Sequence, residues 1–174
     1  MKRRTVIKQV LCITGAAILL PYCSEEKKSS LVLKKIRINS KQEALMTELA
    51  ETIIPSTDTP GAKDIAAHHF VLLMVDDCYS LADQQKFIKG LEAFELKLKD
   101  QFNKSLSACS PYQKETLLLE LEEKKVNGSE LSFFYKTVKS LTIQAFTTSK
   151  LYLTDVRNYR MIQGHFYGCV PVKG

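Results

Sequence analysis

The sequence specifies an all-α fold, a bundle of about five helices followed by an irregular C-terminal tail. Beyond residue 40, apolar residues recur at spacings of three and four. Serine, proline and glycine signals punctuate these periodic stretches, and one short segment alone alternates as a strand would. With 174 residues, 45% hydrophobic and 25% charged, the chain has the size and balance of one globular domain with a sizeable core.

The first 23 residues read as an export leader. Lys2, Arg3, Arg4 and Lys8 form a positive n-region, and Val10 to Leu20 is an uncharged, mostly apolar h-region. About 20 apolar residues are needed to cross a bilayer, so this run suits a signal better than a permanent span; an uncut N-terminal anchor is the other reading. Arg3-Arg4-Thr5-Val6-Ile7-Lys8 resembles the twin-arginine export pattern, with Val and Ile where Phe and Leu are usual. That route carries proteins that are already folded. Leu20-Pro21-Tyr22-Cys23 resembles a lipoprotein cleavage box, although the residue before the cysteine is normally small; Cys23 is then lipidated, or else an unmodified leader cysteine. The expected location is the periplasm or cell envelope, with membrane association through the leader or a lipid anchor.

Residues 24–39 form a polar linker and extended arm. Ser24 to Ser30 has no apolar anchor, and Leu31 to Ile38 alternates loosely, as a short strand or an extended arm would. The helical domain occupies 40–174. Ser40 with Glu43 fits a capping box for the first helix, whose Leu45, Leu49 and Ile53 share a face. Pro55, Pro60 and Gly61 end it in a rigid loop. A second helix is expected from about Asp64 to Tyr79, with Ile65, Val71, Leu72 and Val75 among its apolar positions. Ser80 with Asp83 caps the third, along which Phe87, Leu91, Phe94, Leu98 and Phe102 trace one buried stripe. Ser110-Pro111 opens the fourth, carrying Leu117, Leu118 and Leu121, and Asn127-Gly128 stops it. Phe134, Val138, Leu141 and Ala145 mark the fifth, from Leu131 to about Thr147. After Lys150 the periodicity weakens.

The formal net charge of +6 suggests nucleic acid only at first sight. The four basic residues of the leader account for most of it, leaving +2 on the body, too little for a phosphate-neutralising surface. Reactive residues are few. The histidines are His68, His69 and His165, and the chain lacks Cys-x-x-Cys, His-Glu-x-x-His, Gly-x-Ser-x-Gly and glycine-rich phosphate motifs. Asp64 and His68, four apart, share a helix face but make only two ligands, and read as a solvent-facing pair. Asp76-Asp77 and Glu122-Glu123 read as solvated faces, since adjacent residues on a helix diverge by about 100°. No catalytic, cofactor-binding or metal residue is assigned. In an oxidising compartment Cys78, Cys109 and Cys169 can make at most one internal bond. Cys78 with Cys169 would tie the tail to the second helix, adding about 4 kcal/mol in the chain-entropy model; three reduced thiols are the alternative.

Several segments together resemble one family. They are Leu49-Ala50-Glu51-Thr52-Ile53-Ile54-Pro55, Thr57-Asp58-Thr59-Pro60-Gly61-Ala62, Asp76-x-Cys78-Tyr79 and Phe133-Phe134. Leu141-Thr142 with Phe146-Thr147-Thr148-Ser149, and the closing Gly168-Cys169-Val170-Pro171, complete the set. In order and spacing they are similar to the gluconate 2-dehydrogenase subunit 3 family, over nearly all of the chain beyond the linker. The resemblance implies a small, helical, non-catalytic subunit beside a flavin-dependent sugar or sugar-acid dehydrogenase of the glucose-methanol-choline (GMC) type, such as a gluconate or glycoside dehydrogenase. FAD would then sit in the large partner, and a separate c-type cytochrome would take the electrons. In many such systems the small subunit bears the twin-arginine leader and carries the large one out. Residues Lys150 to Gly164 follow the family's tail only loosely. Partner contact is expected at Pro55, Thr57, Asp58, Pro60, Gly61, Phe146, Thr148, Tyr159, Tyr167 and Pro171, because loops carry recognition more often than packed faces. A stand-alone helical envelope lipoprotein acting as a binding module is the competing expectation.

Overall fold

The computed structural model describes residues 29–123, 129–162, 164 and 168–169. The leader, with Arg3, Arg4 and Cys23, lies outside them, as do Asn127-Gly128, Tyr167 and Pro171. Among the described residues the fold is five α-helices without a strand: α1 (Ser40–Ile53), α2 (Ala67–Cys78), α3 (Leu81–Phe102), α4 (Pro111–Glu123) and α5 (Glu130–Thr147). Among these residues no helix is long and apolar enough to cross a membrane.

The α1 cap lies one residue before the expected Ser40. Asn39 accepts from the Gln42 amide at 2.9 Å while Gln42 reaches back to the Asn39 amide at 3.1 Å, a reciprocal box that leaves Glu43 free for another role. The α2 helix starts at Ala67, not Asp64, because Asp64 is committed to the preceding turn and Ala66 takes a left-handed conformation, φ 51°. Ser80 and Ser129 cap α3 and α5, accepting from the Asp83 and Ser132 amides.

The α3 and α5 helices form the central seam. Phe134 of α5 packs between Phe87 and Phe94 of α3, at ring-centroid distances of 5.0 and 5.7 Å, and all three are fully buried. Gly90 makes that approach feasible, since a Cβ there would lie 2.3 Å from the Glu130 carbonyl oxygen. Met46 and Leu49 of α1, Val71, Leu72 and Val75 of α2, and Leu117 and Leu121 of α4 close the core around the seam. Burial of each large apolar side chain contributes roughly 1.5–3 kcal/mol.

The segment before α1 is an extended arm, not a strand, and Asp76 holds it. Its carboxylate accepts from the amides of Lys34, Lys35 and Ile36 at 2.8, 2.7 and 2.8 Å, which sinks Ile36 into the core. Asp76 is therefore buried, and its reading as a solvated face is corrected: an extended chain needs donors satisfied, and a buried carboxylate supplies the acceptors. Burial pushes this carboxyl upward, but the three amides and Lys35 outweigh it and hold the group below the ordinary carboxylate range. Asp77 remains exposed, 3.6 Å from the Lys34 ammonium. Gln84 of α3 satisfies the end of α2, its amide donating to the carbonyls of Val75, Asp76 and Tyr79 at 3.1, 2.8 and 3.2 Å.

The tail is not irregular from its first residue. Tyr152–Val156 forms a π-helical turn closed by the Arg157 amide on the Tyr152 carbonyl at 3.0 Å. Described residues from Thr154 onward are exposed. Cys78 and Cys169 are free and exposed thiols, and no bond joins them here. Cys109 is buried and free, its thiol donating to the Ser105 carbonyl at 3.4 Å.

Candidate functional site

The loop between α1 and α2 is built on two carboxylates. Glu51 accepts from the Ser56 amide at 2.8 Å and from the Lys63 amide at 2.9 Å, bracketing the loop from below. Asp64 accepts from the Ser56 hydroxyl and from the Gly61 amide at 2.8 Å. Hydrogen bonding from Ser56, then from Gly61, with Lys63 nearby, holds the Asp64 carboxyl below its ordinary range. The Thr57 amide donates to the Thr59 carbonyl at 3.0 Å, and the Ala62 amide to the Ile54 carbonyl at 2.9 Å. The result is a rigid projection presenting Pro55, Thr57, Asp58 and Pro60 to solvent.

Gly61, unlike Pro55 to Pro60 before it in the loop, is buried in this chain. It serves inside the loop: a Cβ there would lie 2.4 Å from the Ser56 nitrogen and 2.8 Å from the Ile54 oxygen. Beneath it, Ala50, Ala62, Ala67 and Ala145 form a second cluster with Ile54, Ile65 and Phe70 packed on it. Small side chains let α1, α2 and α5 converge, which brings the loop against the end of α5.

That end is shaped by hydroxyls. Thr148 and Ser149 donate to the Gln144 and Phe146 carbonyls, each at 2.7 Å, and Ser149 accepts from the Tyr152 amide at 3.2 Å. The rings of Phe146 and Tyr152 pack at 5.8 Å. An open groove lined by Ile65, Phe70, Ala145, Thr148 and Leu151 runs between the loop side and the π-helical turn. Thr148 is exposed and Phe146 half-buried. Tyr159, 55% exposed, stands in a stretch where Val156, Met161 and Ile162 are exposed as well. The structure thus brings the loop and the α5 end together, two regions that the sequence could only name separately.

The expected pairing of Asp64 with His68 does not occur, nor is His68 solvent-facing. It is buried, while Asp64 faces the loop. Among the described residues Glu43, His68 and His69 instead form the one group of three or more metal-ligating side chains close enough to share an ion. Glu122 is bound to its neighbours as well, accepting from the Tyr135 hydroxyl at 2.9 Å and from Lys139, an α4–α5 tie.

Residues 40–164 match the family model described as gluconate 2-dehydrogenase subunit 3. The chain belongs to that family. The matched span takes in all five helices of this subunit 3 protein, its carboxylate-built loop and the exposed apolar stretch around Tyr159. No curated protein and no solved structure matches it. The match takes in the motifs from Leu49 to Ser149 and stops short of the closing Gly168 to Pro171.

Proposed function

We propose that this protein is the exported, non-catalytic small subunit of a periplasmic flavin-dependent sugar or sugar-acid dehydrogenase. It assists export, maturation or stability of a GMC-type large subunit that carries FAD, with a c-type cytochrome as the electron acceptor of the complex. The family match over residues 40–164 is the observation that carries this reading. The architecture supports it: a rigid loop presents Pro55, Thr57, Asp58 and Pro60 beside the α5 end, and apolar Val156, Tyr159, Met161 and Ile162 stand exposed nearby in sequence. Loops on a rigid scaffold are suited to recognition, and clustered exposed apolar residues mark contact surfaces. The leader supplies the export route, with Arg3 and Arg4 as its signal and Cys23 as the anchor point.

Co-expression with a GMC-type flavoprotein large subunit tests the proposal. The large subunit is expected to reach the periplasm with this chain and to stay in the cytoplasm when Arg3 and Arg4 are both replaced by Lys. Asp58→Lys, on an exposed loop position, is expected to weaken co-purification with folding intact. Unchanged export of the flavoprotein without this chain would refute the role.

A further inference from the structure

Away from the loop, α1 and α2 meet the N-terminal arm at a cluster that the proposed subunit role does not use. Glu43 comes from the first turn of α1, and His68 and His69 from the first turn of α2. One ligand-type atom from each lies within 4.8 Å of the other two. We propose that Glu43, His68 and His69 hold one divalent transition ion of the zinc class at this junction.

Two imidazoles and a carboxylate are a donor set that suits Zn2+, with water completing a tetrahedral shell. The Glu43 Oε1 to His69 Nε2 separation is 3.4 Å, long for a hydrogen bond. It equals the edge of a tetrahedron with metal–ligand bonds of about 2.0–2.1 Å, which is roughly 3.4 Å. His68 supplies the second observation. Its Nδ1 is buried with no hydrogen-bond partner among the described residues, a cost that a bound ion would relieve.

Ser30 orients the Glu43 carboxylate, its amide donating at 2.7 Å, an outer-shell contact of the kind that fixes a metal ligand. The ion would link α1 to α2 and, through Ser30, pin the arm that leads back to the export signal.

Titration calorimetry of the EDTA-stripped full chain with Zn2+, paired with Co2+ absorption, tests the site. One ion per chain is expected, with binding weakened about tenfold or more by His69→Ala and by Glu43→Gln, and unchanged by His165→Ala. Zn2+ should also raise the thermal midpoint of the wild type and not that of His69→Ala. The latter folds in any case, because its ring is half-exposed. Absence of saturable binding, equal affinity in His69→Ala, or thiolate charge transfer in the Co2+ spectrum would overturn the assignment. The result is independent of whether a flavoprotein partner is found.

Discussion

Gly90→Ala sets two physical effects of opposite sign against each other. In an exposed helix interior, alanine is more favourable than glycine by about 1 kcal/mol. Gly90 is instead buried in α3 against the start of α5, where a Cβ would lie 2.3 Å from the Glu130 oxygen, 2.5 Å from the Phe134 Cβ and 2.9 Å from the Glu130 carbonyl carbon. Two of these atoms are backbone, so no side-chain rotation relieves the clash. Reaching 3.0 Å moves the start of α5 by about 0.7 Å. A gap of that size along the Phe87–Phe134–Phe94 stack forfeits roughly a quarter to a half of each contact's dispersion energy. Overpacking of this kind costs about 1–3 kcal/mol, and a backbone clash belongs at the upper end. After the propensity gain the net loss is about 2 kcal/mol, a fall in Tm of roughly 4–8 °C for a domain of this size. Urea unfolding followed by circular dichroism measures it. A variant more stable than the wild type would mean that α3 and α5 do not pack as closely as described.

Four further outcomes follow from the loop and the arm. Asp76→Asn removes the charge that three arm amides share, so faster amide exchange at Lys34, Lys35 and Ile36 and a loss of about 2 kcal/mol are expected. The same arm should loosen in acid: Asp76 and Glu43 are held below their ordinary values, so their contribution is complete above about pH 5 and is lost as pH falls through the depressed values. Hydrogen exchange corrected for its intrinsic rate reads that transition. Ala66→Gly relieves a left-handed alanine at φ 51° that has no side-chain cap, and should raise stability by roughly 0.5–1 kcal/mol in the same urea assay. Gly61→Ala forces the loop backbone apart at Ser56 and Ile54, and should cost about 2 kcal/mol while lowering affinity for a partner that reads Pro55 to Pro60.

Much of the fold was legible because helix periodicity and caps are local. The Phe87 to Leu98 stripe, the Ser80 cap and the Ser110-Pro111 start lie where the spacing puts them. Partners distant in sequence left no such signal. Asp76 finds the amides of residues about forty positions earlier, and an acidic pair on a helix looks the same whether solvated or buried. Glu43 meets His69 across 26 positions, and nothing at Glu43 itself distinguishes a ligand from the second half of a capping box. At the candidate interface the loop was readable through its prolines, but the inward packing of Gly61 was not. Only the convergence of Ser56, Ile54 and the alanine cluster shows that it faces inward. The tail's π-helical turn lacks the apolar stripe that reveals buried helices, since its residues are half-buried or exposed.

The most direct test of the subunit role is size-exclusion chromatography of the co-expressed pair with flavin absorbance recorded alongside protein. This chain is expected to co-elute with an FAD-loaded large subunit at a fixed ratio, and to lose that co-elution in the Asp58→Lys variant. Elution of the chain alone, well separated from all flavin absorbance, would contradict its assignment as the small subunit of a flavoprotein dehydrogenase.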